Sequence, residues 1–216
     1  MTPRRQLLIG IAVAATLWFY MFSQWTAGIT NFWLTMAFSA VVLTTLTLAF
    51  TSDRRALLHV EKPLLQIVIG IGIAVALWGV FWVGDKLSAM MFSFARPEVD
   101  AVYSMKDGSR EWTIALLLLL VVGPAEELFW RGFVQRRWRV LLERRQFRFA
   151  ADHAFVFTTL VYGLVHVWSF NFKLVMAALV AGAVWGFIYR LKPSLLPALV
   201  ISHALWDALV FVIFPI

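Results

Sequence analysis

Apolar residues run through this chain in long unbroken blocks, with polar residues gathered between the blocks rather than alternating inside them. A block of about 20 mostly apolar residues is long enough to cross a bilayer as an α-helix. Seven segments meet that description, approximately Leu7–Gln24, Phe32–Phe50, Leu64–Gly84, Trp112–Phe133, Ala154–Phe170, Leu174–Tyr189 and Leu195–Phe214. The pattern predicts an all-α polytopic transmembrane bundle. The first block reads as a span and not as a cleavable signal, since its apolar run is too long and no small-residue cleavage site follows it.

The polar positions between the blocks set the orientation. With the N-terminus in the cytoplasm, 13 basic residues flank the spans on that side and five on the other, Lys86, Arg96, Lys106, Arg110 and Lys173. An excess of Lys and Arg marks the cytoplasmic side, so the expected topology is N-terminus in, C-terminus out. The run Gln135–Phe149, with six Arg and one Glu, then reads as a topology signal resting on anionic headgroups. Membrane lipids are the partners this implies, and nucleic acid is not.

Composition agrees. Of 216 residues, 62% are hydrophobic and 14% charged, against roughly 45–50% and about 25% in soluble domains. The absence of Cys removes disulfides, thiolate metal sites and a cysteine nucleophile. Trp25, Trp33, Trp112, Trp185 and Tyr189 fall at span ends, where such rings favour the interface. The outer loop Asp85–Glu111 carries Met90–Phe94 (MMFSF), a stretch able to dip into the outer leaflet. Ala178, Gly182 and Gly186 form a small-residue stripe on span six, read as a close helix contact. Residues 1–111 hold the first three spans and the outer loop, and 112–216 hold the remaining four, within one compact membrane domain.

Six ionisable residues interrupt the apolar blocks: Glu126, Glu127, Arg131, His166, His203 and Asp207, all on spans four, five and seven. Each is costly in hydrocarbon, about 2.5–3.5 kcal/mol for Asp or Arg at a helix centre, which makes it a functional candidate. Counting about 1.5 Å per residue from the expected inner ends puts Glu126, His166 and His203 in the middle-to-cytoplasmic part of the bilayer. Gly123 and Pro124 predict a broken helix beside them, and with it a route for water. Glu127 and Arg131, four apart, read as a self-neutralising pair. Glu126 then has no local partner, and a desolvated carboxylate suits a general base. Tyr162 shares a face with His166, and His203 shares one with Asp207. The strings H-E-x-x-H, H-x-x-E-H and G-x-S-x-G are absent, and Ser202 points about 100° away from His203 on an ideal helix.

Three strings in order, EELFWR (Glu126–Arg131), YGLVH (Tyr162–His166) and HALWD (His203–Asp207), resemble the CAAX-protease and bacteriocin-processing (CPBP, or Abi) family. The resemblance implies an intramembrane endopeptidase of glutamic type acting on membrane-anchored, lipidated or hydrophobic-tailed proteins, admitted from the bilayer or the cytoplasmic face. It implies that Glu126 activates water, His166 helps hold it, and His203 with residue 207 stabilises the oxyanion. Glu127 and Arg131 brace the site. Tyr162 stands where phenylalanine is commoner, and Asp207 where asparagine is frequent. Asp207 then has to be protonated to donate to an oxyanion, or else to orient His203 from behind. No cofactor is expected on the glutamic reading, while Glu126, His166, His203 and Asp207 form a Zn²⁺ ligand set on the alternative one. A non-catalytic immunity or scaffold protein and a proton-coupled transporter are the other readings. Compact size points to a prokaryotic inner membrane.

Overall fold

The computed structural model describes all residues, 1–216. It is helical throughout, with no strands, and seven helices are long and apolar enough to span a membrane. The spans are Pro3–Phe22, Phe32–Phe50, Pro63–Met91, Glu111–Glu143, Ala150–Ser169, Phe172–Leu191 and Pro193–Ile213. Side chains such as Leu34, Leu64, Val68 and Leu120 stand outward, each at least two-thirds exposed, as hydrocarbon-facing positions do. The chain is an integral membrane protein.

Local chemistry starts the helices where the apolar blocks begin. Asn31 accepts from the Leu34 N–H at 3.1 Å and Asn171 from the Leu174 N–H at 2.8 Å, each satisfying an orphan donor of the first turn. Pro3, Pro63 and Pro193 occupy first-turn positions, where a missing N–H costs nothing. Span seven begins with help from span three: Gln66 accepts from the Ala198 N–H at 3.1 Å and donates to the Ser194 carbonyl at 3.0 Å.

Span four differs most from expectation. It runs 33 residues, about 50 Å at the α-helical rise, and ends at Glu143 rather than near Phe133. Its basic end, Arg136–Glu143, stays helical because the strip is amphipathic and packs on span five, where Trp138 stacks on Phe157 at 4.5 Å. The predicted break at Gly123–Pro124 is absent. Gly123 keeps right-handed helical angles, and the helix widens instead into π turns over Leu118–Val122 and Leu128–Gln135. A wide turn relieves the clash between a proline ring and the carbonyl four residues earlier without unwinding the helix.

Two apolar clusters hold the bundle. One joins spans one, two, four and five around Trp18, Leu43, Phe129, Trp130 and Tyr162. The other joins spans three, six and seven around Leu77, Trp185, Leu199 and Trp206. Span seven lies against span four at Gly123: a Cβ there would stand 2.6 Å from the Ala204 Cα, so only glycine permits this approach. Five of the six ionisable residues, Glu126, Glu127, Arg131, His203 and Asp207, are carried by these two spans, and His166 on span five faces the same cavity as Glu126, His203 and Asp207. Beyond span three a short amphipathic outer helix, Ala95–Tyr103, crosses the end of the bundle.

Candidate active site

Glu126 and Glu127 leave span four about 100° apart and enter different surroundings. Glu127 is fully buried and its Oε1 accepts from Arg131 Nη1 at 2.9 Å and from His203 Nδ1 at 3.0 Å. Arg131 is equally buried; its Nη2 donates to the Gly182 carbonyl at 3.0 Å, and its guanidinium lies over the rings of Tyr162 and Trp185. The small stripe on span six makes this possible. A Cβ at Gly182 would come 2.7 Å from the Tyr162 ring, so the glycine admits both the tyrosine and the guanidinium.

His203 is fixed on three sides. Its Nδ1 faces Glu127, its ring stacks on Trp185 with centroids 4.0 Å apart, and its Nε2 lies 3.5 Å from Asp207 Oδ2. A carboxylate held by an arginine only accepts, so Nδ1 carries the proton. The group behind the imidazole is therefore Glu127. Asp207 sits on the Nε2 side, not in the triad-like position the sequence left open to it. The separation of 3.5 Å between Nε2 and Oδ2 is a charge contact, longer than a good hydrogen bond.

Glu126 is nearly buried and has one side-chain partner, the Tyr162 hydroxyl, which donates to Oε2 at 3.0 Å. Tyr162, absent from the usual form of the motif, thus holds the carboxylate through the one atom phenylalanine lacks. His166 lies just past the last α-helical turn of span five and uses both ring nitrogens. Trp18 Nε1 donates to its Nε2 at 3.0 Å, so Nδ1 carries the proton and donates to the Tyr162 carbonyl at 2.8 Å. Trp18, on span one, carries no signal in the sequence beyond being one more aromatic in an apolar block, and it was missed for that reason. Ser202 accepts from Trp185 Nε1 at 3.1 Å and has a structural partner instead of a catalytic one.

Glu126, Tyr162, His166, His203 and Asp207 all line one cavity of about 440 Å³, walled mainly by apolar side chains. The cavity lies toward the end of the bundle that carries the outer helix. Its walls are the second half of spans one, three, five and seven and the first half of two, four and six. Toward the basic end the seam is closed by Trp130, Arg131, Gln135 and Trp185, none more than 2% exposed. The site thus runs from mid-span, at His203, toward the end of the bundle that carries Ala95–Tyr103, where His166 lies.

The alternative ligand set does not assemble: no three His, Asp or Glu side chains converge on a point where a metal ion would be held. His166 Nε2 is turned to Trp18, and Glu127, outside that set, is bound to Arg131 and His203.

A seven-helix bundle with a Glu, His and Asp cluster at the floor of an apolar cavity defines an integral membrane protein with polar side chains gathered inside its spans. Residues 108–209, which carry every one of these side chains outside span one, match the family model described as "Type II CAAX prenyl endopeptidase Rce1-like". The match bears out the resemblance to the CPBP family, and what the region is similar to is a CAAX-type intramembrane endopeptidase, a protease. Comparison with curated proteins and with solved structures returned no match.

Proposed function

We propose that the protein is a glutamic intramembrane endopeptidase in which Glu126 activates the attacking water. The observation that carries this is the division of labour between adjacent carboxylates. Glu127 is committed to Arg131 and His203, while Glu126 keeps Oε1 without a protein partner at the cavity floor. Glu126 takes a proton from water as the new C–O bond forms. The oxyanion is met by His203, whose proton on Nδ1 is anchored by Glu127 and whose Nε2 faces the Asp207 side when protonated. Glu126 then returns its proton to the amide nitrogen as the C–N bond breaks, leaving a carboxylate and an amine. General-base catalysis of this kind is worth about 10²–10⁴-fold, and preorganised donors at an oxyanion add a similar factor. Asp207 supports the positive charge on His203, or donates itself when protonated. His166 reaches a substrate water only by parting from Trp18.

The substrates on this reading are membrane-anchored or hydrophobic-tailed polypeptides, which the apolar walls suit. The test is cleavage of hydrophobic-tailed peptides by the purified protein beside Glu126→Gln, with and without a strong chelator, and with bound metal determined on the same samples. Loss in Glu126→Gln, indifference to chelator and no stoichiometric metal are expected. Loss on chelation with recovery in Zn²⁺ would replace the glutamic mechanism by a metal-dependent one.

A further inference from the structure

We infer that a pocket at the basic end of the bundle is a binding site for a phosphate group, of the kind an acidic phospholipid presents. The pocket shares no residue with the cavity over Glu126 and holds about 260 Å³. Three parts of the chain wall it: the short helix Arg54–Leu58 between spans two and three, span four at Arg136, and the turn that joins span six to span seven. Packing fixes those walls. Leu57 is buried and belongs, with Tyr189 and Leu196, to the second apolar cluster. A Cβ at Gly132 would stand 2.8 Å from Leu57 Cδ1 and 3.3 Å from Leu196 Cδ2, so this glycine lets the short helix and the start of span seven close on span four. Gln66 holds the turn from span three, through the Ser194 carbonyl and the Ala198 N–H.

The donors that face this pocket have no protein partner. Tyr189 is 6% exposed, yet its hydroxyl makes no hydrogen bond within the protein. Arg136, half-buried, makes neither a hydrogen bond nor an ion pair. Its neighbours at this end do: Arg137 donates to the Phe50 carbonyl, Arg139 pairs with Glu143, and Arg190 pairs with Asp152. His59 and Ser194 complete the polar lining, and no Asp or Glu belongs to it. Donors withdrawn from water without an acceptor are costly, and an anion in the pocket removes that cost. A guanidinium presents two parallel N–H groups to an oxyanion. Donors arriving from four segments suit a phosphate, which offers more acceptor oxygens than a carboxylate. Span seven begins at this turn, so the positive end of its dipole adds to the attraction. The volume lies below the roughly 300–1,000 Å³ of sites for drug-sized ligands, which suits a headgroup and not a whole lipid. Leu58 and Leu191, beside the pocket in sequence, are 53% and 62% exposed, and offer acyl chains an apolar surface.

The test follows the melting temperature of the purified, delipidated protein in a non-ionic detergent as phosphatidylglycerol, phosphatidylcholine or inorganic phosphate is added. A ligand that binds the folded state raises it, and the concentration dependence gives the affinity. Wild type is expected to respond to phosphatidylglycerol with a saturating rise. Tyr189→Phe keeps the ring in its cluster and is expected to melt like wild type without lipid, but to need about three- to tenfold more phosphatidylglycerol. Arg136→Gln is expected to need about tenfold more or beyond. Arg144→Gln removes an exposed charge from the same end and is expected to respond as wild type does. An unchanged response in both Tyr189→Phe and Arg136→Gln would assign the effect to the basic strip as a whole and overturn the site. So would an equal rise with phosphatidylcholine, or no rise with any of the three. Inorganic phosphate that reproduces the rise in wild type and fails in the same two variants would support the site with the free anion as its occupant. A rise with phosphatidylglycerol alone would support it with the lipid headgroup there.

Discussion

Glu127 and His203, 76 residues apart in the chain, meet at 3.0 Å inside the membrane, with Arg131 on the same carboxylate oxygen at 2.9 Å. The carboxylate that sequence pairs with Arg131 alone therefore has two donors and joins span four to span seven. Arg131 reaches further, to the Gly182 carbonyl on span six. One buried triad sets the relative position of three helices and the tautomer of the imidazole at the cavity floor.

Glu127→Gln removes the charge between two cationic or proton-bearing groups while keeping the shape. Breaking a buried pair from one side costs about 3–5 kcal/mol, most of it from the charge left behind. Thermal unfolding in detergent is expected to show a large loss for Glu127→Gln. Adding Arg131→Met to that variant is expected to recover stability without recovering cleavage. A Glu127→Gln protein as stable as wild type would mean that the triad does not hold the helices.

Asp207→Asn tests the side of His203 on which residue 207 works. Because Oδ2 is 3.5 Å from Nε2, a hydrogen bond does not tie the two. An amide there can donate to an oxyanion, so Asp207→Asn is expected to keep cleaving, while Asp207→Ala loses about 10²-fold in kcat. Abolition of cleavage by Asp207→Asn would show instead that the negative charge on residue 207 is required.

Gly123→Ala places a methyl 2.6 Å from the Ala204 Cα and 2.7 Å from its nitrogen, against backbone that has no room to yield. Overpacking of this kind costs about 1–3 kcal/mol. It also separates Glu126, three residues on, from His203. Both melting temperature and kcat are expected to fall. Gly79→Ala on span three meets nothing within 4 Å and is the control, expected to match wild type in both.

Trp18→Phe keeps an aromatic ring in the first core cluster, removes the N–H that His166 accepts and gives up only the smaller part of the indole volume. The loss of one buried hydrogen bond is worth about 1 kcal/mol, against about 3–5 kcal/mol for Trp18→Ala, which also leaves a cavity. Chemical or thermal unfolding of the two variants distinguishes them. A Trp18→Phe protein as stable as wild type would mean that the indole acts by volume alone and that the bond to His166 contributes nothing.

The all-α plan, the seven spans and the ionisable residues of spans four, five and seven were legible in the chain because each is a local property. Span length follows from the extent of an apolar block, and a buried charge stands out in hydrocarbon whatever its neighbours. Span two was read to the residue, Phe32–Phe50. The end of span four was not, because an amphipathic basic helix emerging from the bilayer looks like a loop to any measure of hydrophobicity.

What the tertiary structure decided is which of those residues touch. Local spacing assigns Glu127 to Arg131 and pairs His203 with Asp207, since helix neighbours four apart are all that a sequence shows. Only packing brings Glu127 behind His203, sets Trp18 on His166, and replaces the broken helix at Pro124 by wide turns. The end of the bundle at which the cavity lies is of the same kind. It depends on which halves of seven helices splay and which interlock, and the glycines and tryptophans that decide it act across helices, where no period along one chain can record them.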